Sequence, residues 1–423
     1  MKLNHNYIGV FHYTILLGLY SYMKQYYLAK TFILSAISFT AMATEVEFNG
    51  FLSAGAGQII DHDDFNDYAG YDQHFNTSPD TTLGFQVRAE INEKISAASQ
   101  LLAEGKDSFD VEAEWAYLSY QATPYWTIRA GQLKTAYFMF SDILDVGYAY
   151  PWIRPPSQTY NPIRLPTFQG LDTVYNHAIG HWDGLLQVYY GRLKDSIMSS
   201  QGTVDTDIDT MAGIAWSMTY NYKLTLRAVY HTSHVTTTLP NDETAAFVAA
   251  LRANNYGAIA DALVLERDHI QYFGLGAHYE DQNWVFISEY TLFDVKEQSY
   301  LSDENSFYAT LGYRHGNILY HFTYDYRKGT PDYTIANALK NIPSTQSPEY
   351  DLSVNTFTYL GSEFHNSDYT LGLRYDFAKN TALKVELTQF NHTRKANPYL
   401  ATNAGEPQDL SGLLISTAID LVF

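Results

Sequence analysis

Residues 413–423 read LLISTAIDLVF. Leu413, Ile415, Thr417, Ile419, Leu421 and Phe423 share one parity and are mostly large and apolar. Gly412, Ser416, Ala418, Asp420 and Val422 share the other parity and are mostly small or polar. Successive side chains of a strand point to opposite faces, so the stretch describes a strand with one oily side and one wet side. The alternation runs through Phe423, where a soluble domain would end in a few loose polar residues.

Composition narrows what the oily medium is. Charged residues are 17% of the 423 and aromatics 16%, with 37 Tyr, 23 Phe and 6 Trp. Mean hydropathy is only −0.24. Such a balance fits strands that are half apolar, as in a transmembrane barrel, and equally a large secreted β protein. The chain has no cysteine, which excludes disulfides and thiolate chemistry. The 46 acidic against 26 basic residues, a net charge of −20, argue against nucleic acid as a partner.

From Met23 the chain reads MKQYYLAKTFILSAISFTAMATE. Lys24 and Lys30, an apolar stretch from Thr31 to Phe39 and the small residues of Ala41-Met42-Ala43 make a secretory signal peptide. The expectation is cleavage after Ala43, a natural start at Met23, and two regions: 1–43 as extension and signal, and 44–423 as one barrel. The apolar run Tyr7–Tyr20 is too short to span a bilayer. Beyond residue 43 no run approaches the length of a transmembrane helix.

What recurs instead is a segment of roughly ten alternating residues, as transmembrane strands require. In NILYHFTYDYRK, Ile318, Tyr320, Phe322, Tyr324 and Tyr326 oppose His321, Thr323, Asp325 and Arg327. In DYTLGLRYDFAKN, Tyr369, Leu371, Leu373, Tyr375 and Phe377 oppose Thr370, Gly372, Arg374 and Asp376. Sixteen such segments run from 46–60 to 412–423. Short turns such as Asn92–Glu93 and Asp281–Gln282 alternate with long connections at 61–81, 104–109, 133–169, 193–207, 233–269, 293–305, 328–367 and 393–411. A soluble sandwich has no reason to sort its connections by side. An outer-membrane barrel does, with short periplasmic turns and long extracellular loops. The predicted fold is therefore all-β: a transmembrane antiparallel barrel of about sixteen strands.

Parity then assigns the lumen. Arg88, Arg129, Lys223, Arg227, Arg314, Arg374 and Lys384 point inward, as do Glu90, Glu112, Glu114, Asp325, Asp376 and Glu386. A basic side chain facing lipid at midplane would cost about 2–4 kcal/mol, so the assignment is strongly enforced. Such wall charges either filter polar solutes or stiffen the barrel as ion pairs. Segment 110–121 conflicts with itself, because Leu118 and Tyr120 share the parity of Glu112 and Glu114. A bulge between them would resolve it.

The third long connection is unusually aromatic and rich in proline: Lys134–Gln169 reads KTAYFMFSDILDVGYAYPWIRPPSQTYNPIRLPTFQ. With RAGQLK before it, the pattern resembles the corresponding region of Gram-negative porins. That resemblance implies a third loop folded into the lumen, with Asp142, Asp145, Arg154 and Arg164 near a constriction. It implies a passive diffusion channel for small hydrophilic solutes and ions in the outer membrane of a Gram-negative bacterium. It also implies lipid and lipopolysaccharide around the barrel, a homotrimer, and a role for Phe423 in assembly by the barrel assembly machinery. A substrate-selective channel stays open as the rival. So does a loop that lies over the mouth or seals a subunit contact.

The remaining motifs are weak. DHDDFNDYAGYD, Asp61–Asp72, fails the calcium-loop template at Phe65, Asn66 and Asp72. His231 and His234 have no third ligand, so no metal site is expected. Thr244–Glu266 is helix-like and falls in the fifth long connection. No phosphate loop, zinc motif or grouped Ser and His appears, so neither an enzyme nor a cofactor is expected. A barrel enzyme such as a phospholipase, and a plugged adhesin or receptor, are the alternatives from other classes.

Overall fold

The computed structural model describes residues 45–62, 68–160, 167–199, 202–239, 241–296, 299, 301–332, 363–395 and 409–423. The expected signal peptide and Arg164 lie outside the described residues, as does Phe65–Asn66 of the acidic motif.

Sixteen strands are present among the described residues: β1 (Glu45–His62), β2 (Thr82–Asn92), β3 (Ile95–Glu104), β4 (Val111–Thr123), β5 (Trp126–Lys134), β6 (Thr167–Ile179), β7 (Trp182–Ser199), β8 (Gly202–Tyr220), β9 (Leu224–Thr237), β10 (Glu266–Glu280), β11 (Trp284–Val295), β12 (Asp303–His315), β13 (Ile318–Thr330), β14 (Glu363–Ala378), β15 (Thr381–Lys395) and β16 (Asp409–Val422). Each pairs antiparallel with its neighbours in sequence, and β1 pairs with β16. The sheet is thus a closed barrel without edges, which satisfies every strand's backbone in a medium that offers no hydrogen bonds. Among the described residues no helix is long and apolar enough to cross a membrane.

The closing seam explains the opening alternation. Phe51 stands opposite Val422, and Gly50 and Phe423 exchange backbone hydrogen bonds of 2.8 and 2.9 Å. The Phe423 ring lies where a side chain on Gly50 would sit; a Cβ there would be 2.4 Å from the ring. Along β12–β14 the outward residues Leu311, Tyr320, Phe322 and Leu371 are exposed to the surrounding medium. The inward residues Thr310, His321, Thr323 and Asp325 of the same strands are buried.

Seven turns of two or three residues fall at one end of the barrel. Four of them use the left-handed conformation: Gly180 and Gly316 adopt it with φ of 62° and 59°, and Asn221, Tyr222 and Asn380 adopt it in the β8–β9 and β14–β15 turns. Lys223 lies in such a turn, between β8 and β9, rather than on the lumen wall. The other end carries the long connections, with one correction. Residues 193–207 are not a loop: β7 runs to Ser199 and β8 begins at Gly202, with Leu193 opposite Ile208 and Ile197 opposite Val204. Alternation in this segment is carried by β-branched residues among aspartates, which pair well even beyond the apolar belt. In the fifth long connection the helix-like stretch forms two helices, Asp242–Ala253 and Gly257–Ala262. They bury Phe247, Leu251 and Ile259 against each other.

Candidate functional site: a lumen divided by the third long connection

Residues 135–160 turn inward after β5 and pack across the barrel. Tyr137, Phe138, Phe140, Tyr150, Trp152 and Tyr160 join one hydrophobic cluster with inward residues of β7–β13, including Met211, Val229 and Ile287. Their burial accounts for the aromatic richness of the segment: rings fill one side of the lumen.

Polar contacts hold the same segment at fixed points. Glu289 on β11 accepts from the Met139 backbone N–H at 2.8 Å, and from the hydroxyls of Tyr308 at 2.9 Å and Tyr160. Asp325 on β13 accepts from the Gln158 N–H at 2.6 Å and the Thr159 hydroxyl at 2.8 Å. Asp368 on β14 accepts from Gln158 Nε2 at 2.8 Å and Tyr68 at 2.7 Å. Glu386 on β15 accepts from the Ile153 N–H at 2.9 Å. The Trp152 indole N–H is shared between Thr310 and Thr323, 3.0 Å from each. Buried carboxylates are tolerated only when hydrogen-bonded, and here the loop supplies the donors.

Cations take the loop's carbonyls. Lys384, wholly buried beside Asp420 at 2.8 Å, donates to the carbonyls of Gly147 and Trp152. Arg374 donates to the carbonyls of Tyr148 and Tyr150 at 2.8 and 2.9 Å, and Arg227 to that of Ala136 at 3.1 Å. Arg314 bridges Glu280 and Asp376 on the wall itself. Several charges assigned to the lumen by parity therefore have structural work: they clamp the loop.

The loop residues singled out in the sequence are placed differently from one another. Arg154 is largely buried and forms a two-pronged ion pair with Asp80 of the first long connection. Burial disfavours the guanidinium's charge, but Asp80 outweighs it, so Arg154 holds its proton more tightly than usual. Asp145 is held at 2.9 Å by Lys134 and at 2.8 Å by Gln100. Asp142 is exposed, and its charge acts on Arg129.

The inward side chains that stay accessible form an open strip on β2, β4 and β5, while Ser96, Gln100 and Leu102 of β3 between them are buried. Arg88 and its ion-pair partner Glu90 are solvent-accessible. Arg129 makes a two-pronged pair with Asp172 of β6 and lies 5.4 Å over the Tyr117 ring. Glu114 pairs with Lys134 at 2.7 Å, and Glu112 is exposed. The parity conflict in β4 is resolved by a bulge: Gln100 stands opposite Trp115 and Leu101 opposite Ala113, leaving Glu114 without an opposite residue. Residues Trp115 and Tyr117 thereby turn inward, while Leu118 and Tyr120 face out. Sequence reasoning missed Trp115, Tyr117, Asp80, Lys134 and Asp172. Only the last had a legible signal, because Arg129 and Asp172 are opposite in the β5–β6 register.

A sixteen-strand barrel, a narrowing loop and an accessible charged strip set the frame for the comparisons. The model of a family described as Gram-negative porin matches residues 31–395. The chain belongs to that family. This porin is an outer-membrane channel of a Gram-negative bacterium. No curated protein matches it. Its fold is similar to that of OmpTdeltaL8, a loop L8 deletion mutant of the Vibrio cholerae outer membrane protein OmpT, at TM-score 0.52 and 12% identity, covering 90% of this chain and 99% of that one. It is also similar to the outer membrane channel DcaP of Acinetobacter baumannii, at TM-score 0.53 and 13% identity, covering 90% and 97%. At such identities the likeness concerns the fold. The porin's loop, wall pairs and open strip are read from its own residues.

Proposed function

We propose that this porin is a passive diffusion channel for small hydrophilic solutes that favours cations, and that it has no catalytic role. One observation carries the reading. Along the open strip the arginines are each neutralised, Arg88 by Glu90 and Arg129 by Asp172. Glu112 and Asp142 are exposed with no ion-pair partner among the described residues. Paired charges act as dipoles whose fields fall off quickly, whereas an unpaired carboxylate in a narrow path attracts counter-ions at longer range. The acidic surroundings of Glu112, which include Asp107, Asp110 and Asp195, extend the same sign outward.

The test is a planar bilayer carrying purified protein in a potassium chloride gradient. The reversal potential is expected on the cation side. An anion-side potential, or no current at all, overturns the proposal.

The active unit is proposed to be a homotrimer. The in-vitro folded OmpT of Vibrio cholerae, similar at 12% identity and TM-score 0.52, is described in a trimer form. Insertion by the barrel assembly machinery, and lipopolysaccharide around the outer apolar face, belong to the same reading. Native mass spectrometry of detergent-extracted protein tests the subunit count; a single-chain mass would refute the trimer.

A further inference from the structure

The bulge at Glu114 has a consequence for Trp115. Val111 and Ala113 face outward, and an unbulged strand would send Trp115 the same way. The extra residue turns it inward, opposite Gln100, whose amide holds Asp145 of the inward loop. There Trp115 lies against Tyr117, with ring centroids 5.4 Å apart and planes 31° apart. Tyr117 packs against the large hydrophobic cluster; Trp115 is absent from it and remains partly accessible. A bulge that re-aims a side chain is a device rather than a defect. Along β4, Trp115 follows Glu112 on the way inward and precedes Tyr117, whose ring is capped by Arg129 within reach of the Asp142 charge.

We propose that Trp115 is a specificity-determining residue of the channel, presenting an aromatic face that favours organic cations carrying an apolar ring. The inference rests on the cation-favouring reading above and adds the solute class. The carboxylates Glu112 and Asp142 attract the charge, and the Trp115 face receives the ring. Offset stacking of two aromatic rings is favoured, and such a contact changes occupancy by roughly two- to tenfold.

The experiment compares benzyltrimethylammonium with tetramethylammonium, which shares its head group and lacks the ring. Relative permeability is read from reversal potentials with one cation on each side of a bilayer. The wild type should favour the ring-bearing cation. Trp115→Leu should lose that preference by roughly two- to tenfold and leave the potassium chloride reversal potential unchanged. Trp115→Phe, which keeps a face, should retain most of it and guards against a folding defect in the leucine variant. Equal permeability of the two cations in the wild type overturns the inference, as does a preference that survives Trp115→Leu. A wild type that prefers benzoate to benzyltrimethylammonium overturns it as well. An anion-side potential in potassium chloride alone would instead sink the cation-favouring reading, so the two failures are told apart.

Discussion

The Nζ of Lys384, on the barrel wall, lies 2.6 Å from the carbonyl oxygen of Gly147, in the loop that crosses the lumen. The same ammonium reaches the Trp152 carbonyl and pairs with Asp420 without contact with solvent. One wall cation thus fastens two points of the loop, and it does so near the seam where β16 meets β1.

Replacing it should free the loop. Lys384→Met leaves Asp420 buried and unpaired, a defect worth about 3–5 kcal/mol. The expected outcome is a lower temperature for loss of the folded band on unheated gels, together with larger and noisier single-channel currents. Currents identical to wild type would show that the aromatic cluster and the carboxylates hold the loop without Lys384.

Asp142 and Asp145 should behave differently, although they are three residues apart. Asp145 is neutralised by Lys134 and Gln100, whereas Asp142 is exposed. Asp142→Asn is predicted to move the reversal potential toward anions, and further still when combined with Glu112→Gln. Asp145→Asn is predicted to move it less. The ordering fails if the Asp145 variant shifts the potential more than the Asp142 variant.

The first long connection should depend on Arg154. Asp80→Asn removes the carboxylate that balances a buried guanidinium and also accepts from the Tyr71 hydroxyl at 2.6 Å. The cost of leaving such a charge unpaired is about 3–5 kcal/mol. Thermal unfolding of the detergent-solubilised barrel, followed by circular dichroism, should show the loss. Asp80→Asn with Arg154→Met should recover part of it; no recovery would argue against the pair as the cause.

The seam offers a fourth test. Gly50→Val would place a branched side chain in the space now filled by the Phe423 ring. Folding yield into liposomes is expected to fall, and Gly50→Val with Phe423→Ala should restore it in part. Equal yields for Gly50→Val and wild type would show that the ring moves aside freely.

The mature amino terminus is a matter of direct measurement. The positive start, apolar stretch and Ala41-Met42-Ala43 site predict that protein extracted from outer membranes begins at Thr44. Sequencing that returns residues before Thr44 would displace the cleavage site.

The strand order of the barrel was legible because its cause is local. A side chain on a strand faces either lipid or lumen, the penalty for the wrong face is large, and the period is two. Sixteen alternating segments and their sorted connections follow from that one rule. The bulge in β4 was legible for the same reason, as a parity conflict between Glu112 and Tyr120. Alternation also explains the error at 193–207, where aspartates among β-branched residues marked a strand that continues past the apolar belt.

Which charges are free was decided only by the tertiary structure. Parity put Arg88, Arg129, Arg227, Arg314 and Arg374 in one class, because each faces the lumen. The fold separates them: Arg227 and Arg374 are taken up by loop carbonyls, Arg314 by wall carboxylates, and Arg88 and Arg129 line the open strip as pairs. Arg154 meets Asp80 across 74 positions, and Ile153 meets Glu386 across 233. No local rule encodes such separations, since they depend on where a 26-residue stretch, 135–160, comes to rest across a closed barrel. That resting place is set by the joint burial of its aromatic rings and the matching of its backbone donors to wall carboxylates, a property of the assembled lumen and of no single segment.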